Sequence, residues 1–253
     1  MSEALKGKKV VVTRASSQAG QLKQLLEEKG ADVLEIPTIK ILHPAVGEAQ
    51  REFVENVAQI HTYDWLVFTS VNGVEMFFES FFKAYTDARS IGGVRIAAVG
   101  ASTAAKINSY RYAVDLMPTT YVADELVKEF ADKESIENLT MMWVRGAEAR
   151  DVVSKGLSAL GAIVDECIAY RTVAETEDVT GDKKRLAEEG ADYILFANAA
   201  GARSFFENGN KLPYGCKIAS IGKITSQAIS DLGQTVDIEA DESSMESLVA
   251  SIC

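Results

Sequence analysis

Histidine is almost missing. His43 and His61 are the only two in 253 residues, and they stand in unrelated contexts. Two such residues cannot supply the usual transition-metal ligand set, and neither lies near a nucleophile of hydrolase type. Cysteine is nearly as sparse: Cys167, Cys216 and Cys253 form an odd set with no CxxC spacing. That argues against a disulfide framework and a structural zinc site, and it fits a reducing cytosol. No HExxH, GxSxG, GxxxxGK[ST] or strand-borne GxGxxG occurs, so the strongest metalloprotease, hydrolase and nucleotide signals are absent. Nothing approaches the about 18 consecutive apolar residues of a membrane span. The opening Met-Ser-Glu-Ala-Leu-Lys has no apolar segment of a secretory leader. Basic charge is in deficit, 26 Lys and Arg against 37 Asp and Glu, for a net charge of −11. That sign argues against nucleic acid or an anionic membrane as partner, while a small anion in a locally positive cleft stays open.

What is present is an ordinary globular composition, 47% apolar and 25% charged, in a chain long enough for two modest α/β domains. Its strongest feature is an internal duplication. The run Lys9 to Arg14, an amphipathic stretch through Leu22, Leu25 and Leu26, and the run Ala31 to Ile36 recur from Met141 to Val164. At one constant offset, Arg14 corresponds to Arg145 and Gly30 to Gly161. A second unit, Tyr63 to Ser70 followed by Gly73 and Phe77-Phe78-Glu79, recurs as Ala191 to Asn198 followed by Gly201 and Phe205-Phe206-Glu207. A third pairs Arg95 to Gly100 and Thr103 with Lys217 to Gly222 and Thr225. The order is therefore A-B-C-A-B-C. Short apolar strands alternating with helices predict parallel sheets covered on both faces. Two chain paths satisfy this pattern. Each A-B-C forms its own domain, or the first A joins the second B and C.

In open parallel sheets, ligands bind beyond the carboxyl ends of the strands. Ser70, Ser102, Thr103, Asn198 and Thr225 fall at such corners, at or near helix N-termini whose free N–H groups attract carboxylates. Arg14 and Arg145 follow strand A in each repeat and offer cationic donors. The plainer alternatives are N-caps for the polar residues and surface charge for the arginines. Tyr170 ends a β-rich run, and its counterpart in the first repeat is Ile39, so the fold of unit A does not need the phenol. It is either a tyrosine packed at a domain seam or a proton donor facing a cleft.

Five short motifs, in this order and spacing, carry a resemblance. They are Val12-Thr13-Arg14, Phe68 to Val74, Ala98 to Ala104, Ala169-Tyr170-Arg171-Thr172, and Ser220 to Ser226. Across nearly its full length the chain resembles the uroporphyrinogen-III synthase family. The resemblance implies two doubly wound, flavodoxin-like α/β domains with parallel sheets. One would hold residues 1–38 and 173–253, the other 42–170. Extended linkers at about 36–42 and 167–173 would join them, with the active site in the cleft between. It implies that hydroxymethylbilane loses its hydroxyl as water, that ring D is inverted through a spiro intermediate, and that the macrocycle closes as uroporphyrinogen III. It implies no metal and no organic cofactor. The family tyrosine that assists hydroxyl departure maps onto Tyr170. The substrate carboxylates would fall to Arg14, Ser70, Ser102, Thr103, Arg145, Asn198 and Thr225. One departure stands out: Ala197-Asn198-Ala199-Ala200 occupies a corner where members usually carry Ser or Thr. The expected setting is a cytoplasmic monomer, with transient contact to the preceding pathway enzyme as a further expectation. A non-catalytic two-lobe anion-binding or regulatory module is the alternative.

Overall fold

Apolar residues at every position of a four-residue run, as in Trp65 to Phe68, suit a strand buried on both sides, and all four are buried. A computed structural model describes residues 3–43, 47–120 and 122–253. The first A unit forms β1 (Lys9–Val12), α1 (Ser16–Glu27) and β2 (Asp32–Glu35). The connecting strand β3 (Ile39–Leu42) and helix α2 (Glu48–Ala58) follow. The first B unit is β4 (Trp65–Phe68) and α3 (Val71–Ala84), and the first C unit is β5 (Arg95–Ala98), α4 (Ala101–Ser109) and α5 (Ala123–Lys133). The second A unit is β6 (Thr140–Gly146), α6 (Val152–Ala159) and the long β7 (Ile163–Ala174). After α7 (Asp182–Glu189) come β8 (Tyr193–Phe196) and α8 (Ala199–Glu207). The last C unit is β9 (Lys217–Ser220), α9 (Lys223–Asp231), β10 (Ile238–Glu239) and α10 (Met245–Ala250).

These strands form two five-stranded sheets, ordered β10-β9-β8-β1-β2 and β3-β7-β6-β4-β5. Strand β1 pairs in parallel with β8 and β2, and β6 pairs in parallel with β4 and β7. The chain thus takes the second path: the first A unit sits with the second B and C, and the second A unit with the first B and C. Each sheet reads A, B, C across its width. The isolated parallel bridge between Ala97 and Leu116 holds the place in one sheet that β10 holds in the other. The first sheet has the strand order of a doubly wound flavodoxin-like fold. Chain contacts divide into one unit of Met1–Lys40 with Val173–Cys253 and a second of Ile41–Thr172.

Side chains alternate along each strand, so each sheet buries two apolar layers. In the second unit Leu66 and Phe68 meet Phe77, Phe78 and Phe81 of α3, while Trp65 and Val67 meet Phe130 and Trp143 on the opposite face. In the first unit Val10 and Val12 pack with Leu22 and Leu26, and Val11 faces Phe196 and Phe205. In the inner strands β1, β4, β6 and β8 both faces are filled by packing, so what these strands offer a ligand lies at their ends. Among the described residues no helix is long and apolar enough to cross a membrane.

Candidate active site

At the carboxyl end of β4 the chain turns through Ser70, which has extended backbone and caps α3. Its Oγ accepts the Gly73 N–H at 3.1 Å and the Tyr170 hydroxyl at 3.0 Å. Both lone pairs of Ser70 are engaged, which turns its own O–H outward as a donor. Tyr170 stands on β7 and its half-buried ring packs against the Phe-rich layer. Burial pushes the phenol above its ordinary value, against hydrogen bonds to Ser70 and Asn72 that hold it down. At neutral pH it is therefore a protonated hydroxyl, able to donate. The indole of Trp143 donates to Thr69 Oγ1 at 3.3 Å and steadies the same corner.

The neighbouring corner in this unit is built differently. Helix α4 begins at Gly100, with φ of 92° and no side-chain cap. Its first-turn N–H groups thus lack a capping side chain, the arrangement that attracts an anion. Ser102 is exposed on that turn, while Thr103 is buried at 3% exposure.

The first unit repeats both corners. Asn198 caps α8 through Oδ1, which accepts the Gly201 N–H at 2.7 Å. It performs the capping that Ser70 performs, and its amide NH2 remains to donate. Helix α9 starts at Gly222, again without a side-chain cap, and Thr225 in its first turn is 4% exposed. Asn198, Gly222, Lys223 and Thr225 line one concavity of about 480 Å³, together with the carboxylates Glu239 and Asp241. Among the described residues neither the Thr103 nor the Thr225 hydroxyl makes a hydrogen bond. Neither oxygen is among the fully enclosed polar atoms without a partner, so each hydroxyl of these nearly buried residues opens outward, where a ligand can bond it.

The two arginines part company. Arg145 is buried, its planar guanidinium lying 4.5 Å from the centre of the Trp143 ring. It is ion-paired to Glu166 and donates to the carbonyls of Ala149 and Gly146. Its donors serve the protein, which makes it a brace for the β6–α6 loop. Arg14 instead donates to Gln18 Oε1 and Met245 Sδ, each at 3.3 Å. The difference follows from a third position. In the first repeat Lys23 binds Glu35 at 2.6 Å. The counterparts in the second repeat are Ser154 and Glu166, and a neutral serine leaves Glu166 to Arg145. Sequence reasoning on the arginines alone could not find this, although the Lys-to-Ser change between repeats was there to be read. Of the residues around the concavity of the first unit, Glu239 and Asp241 lie outside the five sequence motifs, while Lys223 lies inside the last of them beside Thr225.

The uroporphyrinogen-III synthase HemD family matches residues 20–250. The uroporphyrinogen-III synthase of Chlorobaculum parvum is 28% identical over 235 residues, covering 91% of this chain and 92% of that one. The enzyme of the same name from Synechococcus elongatus is 28% identical over 258 residues, covering 99% and 96%. Among solved structures, a mutant uroporphyrinogen III synthase from Thermus thermophilus shares the fold with a TM-score of 0.64, at 18% identity and 96% coverage of each chain. The Helicobacter pylori enzyme does so with a TM-score of 0.61, at 14% identity, covering 96% of this chain and 97% of that one.

Proposed function

This chain belongs to the uroporphyrinogen-III synthase HemD family, and we propose that it cyclises hydroxymethylbilane through the polar corners at the ends of its two sheets. The reaction removes the hydroxyl as water, inverts ring D and closes uroporphyrinogen III, a step of tetrapyrrole biosynthesis. The observation that carries the assignment of the chemistry is the Tyr170 phenol, held protonated and 3.0 Å from Ser70 Oγ beyond the strand ends.

In this reading Tyr170 gives its proton to the departing oxygen as the carbon–oxygen bond breaks, and water leaves. The electron-poor carbon that remains is attacked by the ring D carbon that already bears the bridge to ring C, which gives the spiro intermediate. The bond from that carbon to the old bridge then breaks, leaving an electron-poor carbon on ring C, and the free α-carbon of ring D closes on it with the ring inverted. The proton lost from that α-carbon as ring D regains aromaticity returns the phenolate to phenol. Ser70 aligns the phenol and offers its own hydrogen. Thr103, Thr225, Asn198, Ser102 and the uncapped turns of α4 and α9 take substrate carboxylates, and Arg14 adds a cation. This explains how an acidic protein holds a polyanion: the donors are dipoles and neutral hydroxyls at helix N-termini. Much of the acceleration is positional, because a flexible linear chain must be held in one reactive fold.

Incubation with hydroxymethylbilane and identification of the product isomer tests the reading. Uroporphyrinogen III is expected; closure to the uninverted isomer, or no turnover, would reduce the chain to a binding or regulatory module. No residue in this scheme requires a metal, so turnover should survive exhaustive chelation. Loss on chelation with recovery on adding a metal would overturn that part. The setting we propose is a cytoplasmic monomer.

A further inference from the structure

We infer that Gly146 is a positioning residue for Tyr170: the missing side chain opens the slot in which the phenol reaches Ser70. The inference rests on the reading above, in which that phenol acts in the reaction. Gly146 is the buried last residue of β6. The ladder between β6 and β7 slips between Arg145 and Gly146, so that Gly146 lies opposite Tyr170. A Cβ at position 146 would stand 2.8 Å from Tyr170 Cζ, 2.9 Å from Cε2 and 3.1 Å from the hydroxyl oxygen. Those distances are shorter than ordinary non-bonded contact allows. The backbone gives no other reason for glycine, since Gly146 is not among the residues with positive φ.

Nor is the glycine free to retreat. Its carbonyl accepts from Arg145 Nε at 3.2 Å and from the Ala149 N–H at 3.1 Å. The adjacent Ala147 N–H donates to the Tyr170 carbonyl at 2.9 Å. A side chain at 146 would therefore push the ring and not the strand. The duplication supplies an internal control. In the first repeat the counterparts of Gly146 and Tyr170 are Ala15 and Ile39. The repeat without a phenol carries a Cβ at the equivalent place.

The test measures kcat and KM for Gly146→Ala, Tyr170→Phe and the double variant, with ¹³C-tyrosine NMR of the Tyr170 resonance, assigned by its loss in Tyr170→Phe. Gly146→Ala should lower kcat about tenfold or more, the scale of a displaced general acid, and leave KM nearly unchanged. In the Tyr170→Phe background the same change should cost less than about twofold, because the group it acts through is already gone. Multiplying losses would mean a merely structural role and would overturn the inference. So would an unmoved Tyr170 resonance in Gly146→Ala, whatever the activity. A moved resonance with Tyr170→Phe fully active would leave Gly146 setting the ring position while sinking the acid role of Tyr170. Should Gly146→Ala fail to fold, Gly146→Ala with Tyr170→Ile recreates the pair of the first repeat. That double variant should recover a cooperative thermal transition, and failure to do so counts against the slot.

Discussion

The role proposed for Tyr170 needs a phenol that stays protonated and in place, and separate features of the structure meet the two demands. Burial against the aromatic layer keeps the proton on, and Ser70 Oγ at 3.0 Å fixes the oxygen. Tyr170→Phe removes one hydroxyl and little volume, so the thermal midpoint should move little. The kcat should fall about tenfold or more, with a small change in KM, because the lost bond strengthens as the hydroxyl departs. Steady-state kinetics with a melting curve checks both halves, and a fully active, folded variant would return Tyr170 to a packing role. Thr225 predicts the opposite split. Its hydroxyl makes no hydrogen bond among the described residues, so Thr225→Val keeps the shape and breaks no bond within the protein. Stability should hold or rise, while KM should rise about tenfold, the value of a hydrogen bond to a carboxylate. A fall in melting temperature with unchanged KM would show the hydroxyl to be structural.

Between elements, the pairing of α5 and α6 depends on a close approach. A Cβ on Gly156, midway along α6, would lie 2.6 Å and 2.7 Å from the two methyl carbons of Val127 on α5. Two effects then oppose each other. Alanine gains about 1 kcal/mol over glycine in a helix interior. Overpacking costs about 1–3 kcal/mol, and valine has little rotamer freedom with which to yield. The collision should win, so Gly156→Ala should destabilise the protein in urea titration, and Val127→Ala should recover part of the loss. A more stable Gly156→Ala would mean the helices separate at little cost. The capping elements were more legible. Ser70 and Asn198 occupy equivalent places in the duplication, and both accept an N–H three residues on, from Gly73 and Gly201. The short polar side chain with an acceptor oxygen is the whole requirement, which is why Asn serves where Ser stands in the other repeat.

At the scale of the molecule, Met1–Lys40 belongs with Val173–Cys253, and β1 lies inside its sheet between β8 and β2. Residues 173–253 expressed alone would leave the edge of β8 open and the layers around Leu195 and Phe196 uncovered. That fragment should show no cooperative unfolding by circular dichroism, and adding residues 1–40 as a separate chain should restore it. The continuous segment 41–172 should unfold cooperatively by itself, since its β7, β6, β4 and β5 and both layers on them are nearly complete. Cooperative unfolding of 173–253 alone would show that β1 is dispensable to the core.

The alternation of strand and helix, the parallel sheets buried on both faces, the duplication, and the corners where helices begin can all be read along the chain. Each of these is local: apolar runs of four, amphipathic spacing, and a capping residue before a turn. Tyr170 was legible as a candidate, since its counterpart Ile39 marked the phenol as unneeded by the fold, but its place beside Ser70 was not, because that contact joins residues 100 positions apart. The remaining features came from long-range packing. Strands β4 and β8 repeat one pattern, so nothing in the chain near β1 states which of them it will join; long-range pairing made that choice. The arginines at 14 and 145 occupy the same place in their repeats, yet one is locked by Glu166 because residue 154 is a serine where residue 23 is a lysine. The bare face of Gly146 becomes meaningful only when a slipped register sets it against the Tyr170 ring. Such contacts join residues far apart in the chain, and their geometry exists only after the sheets have formed.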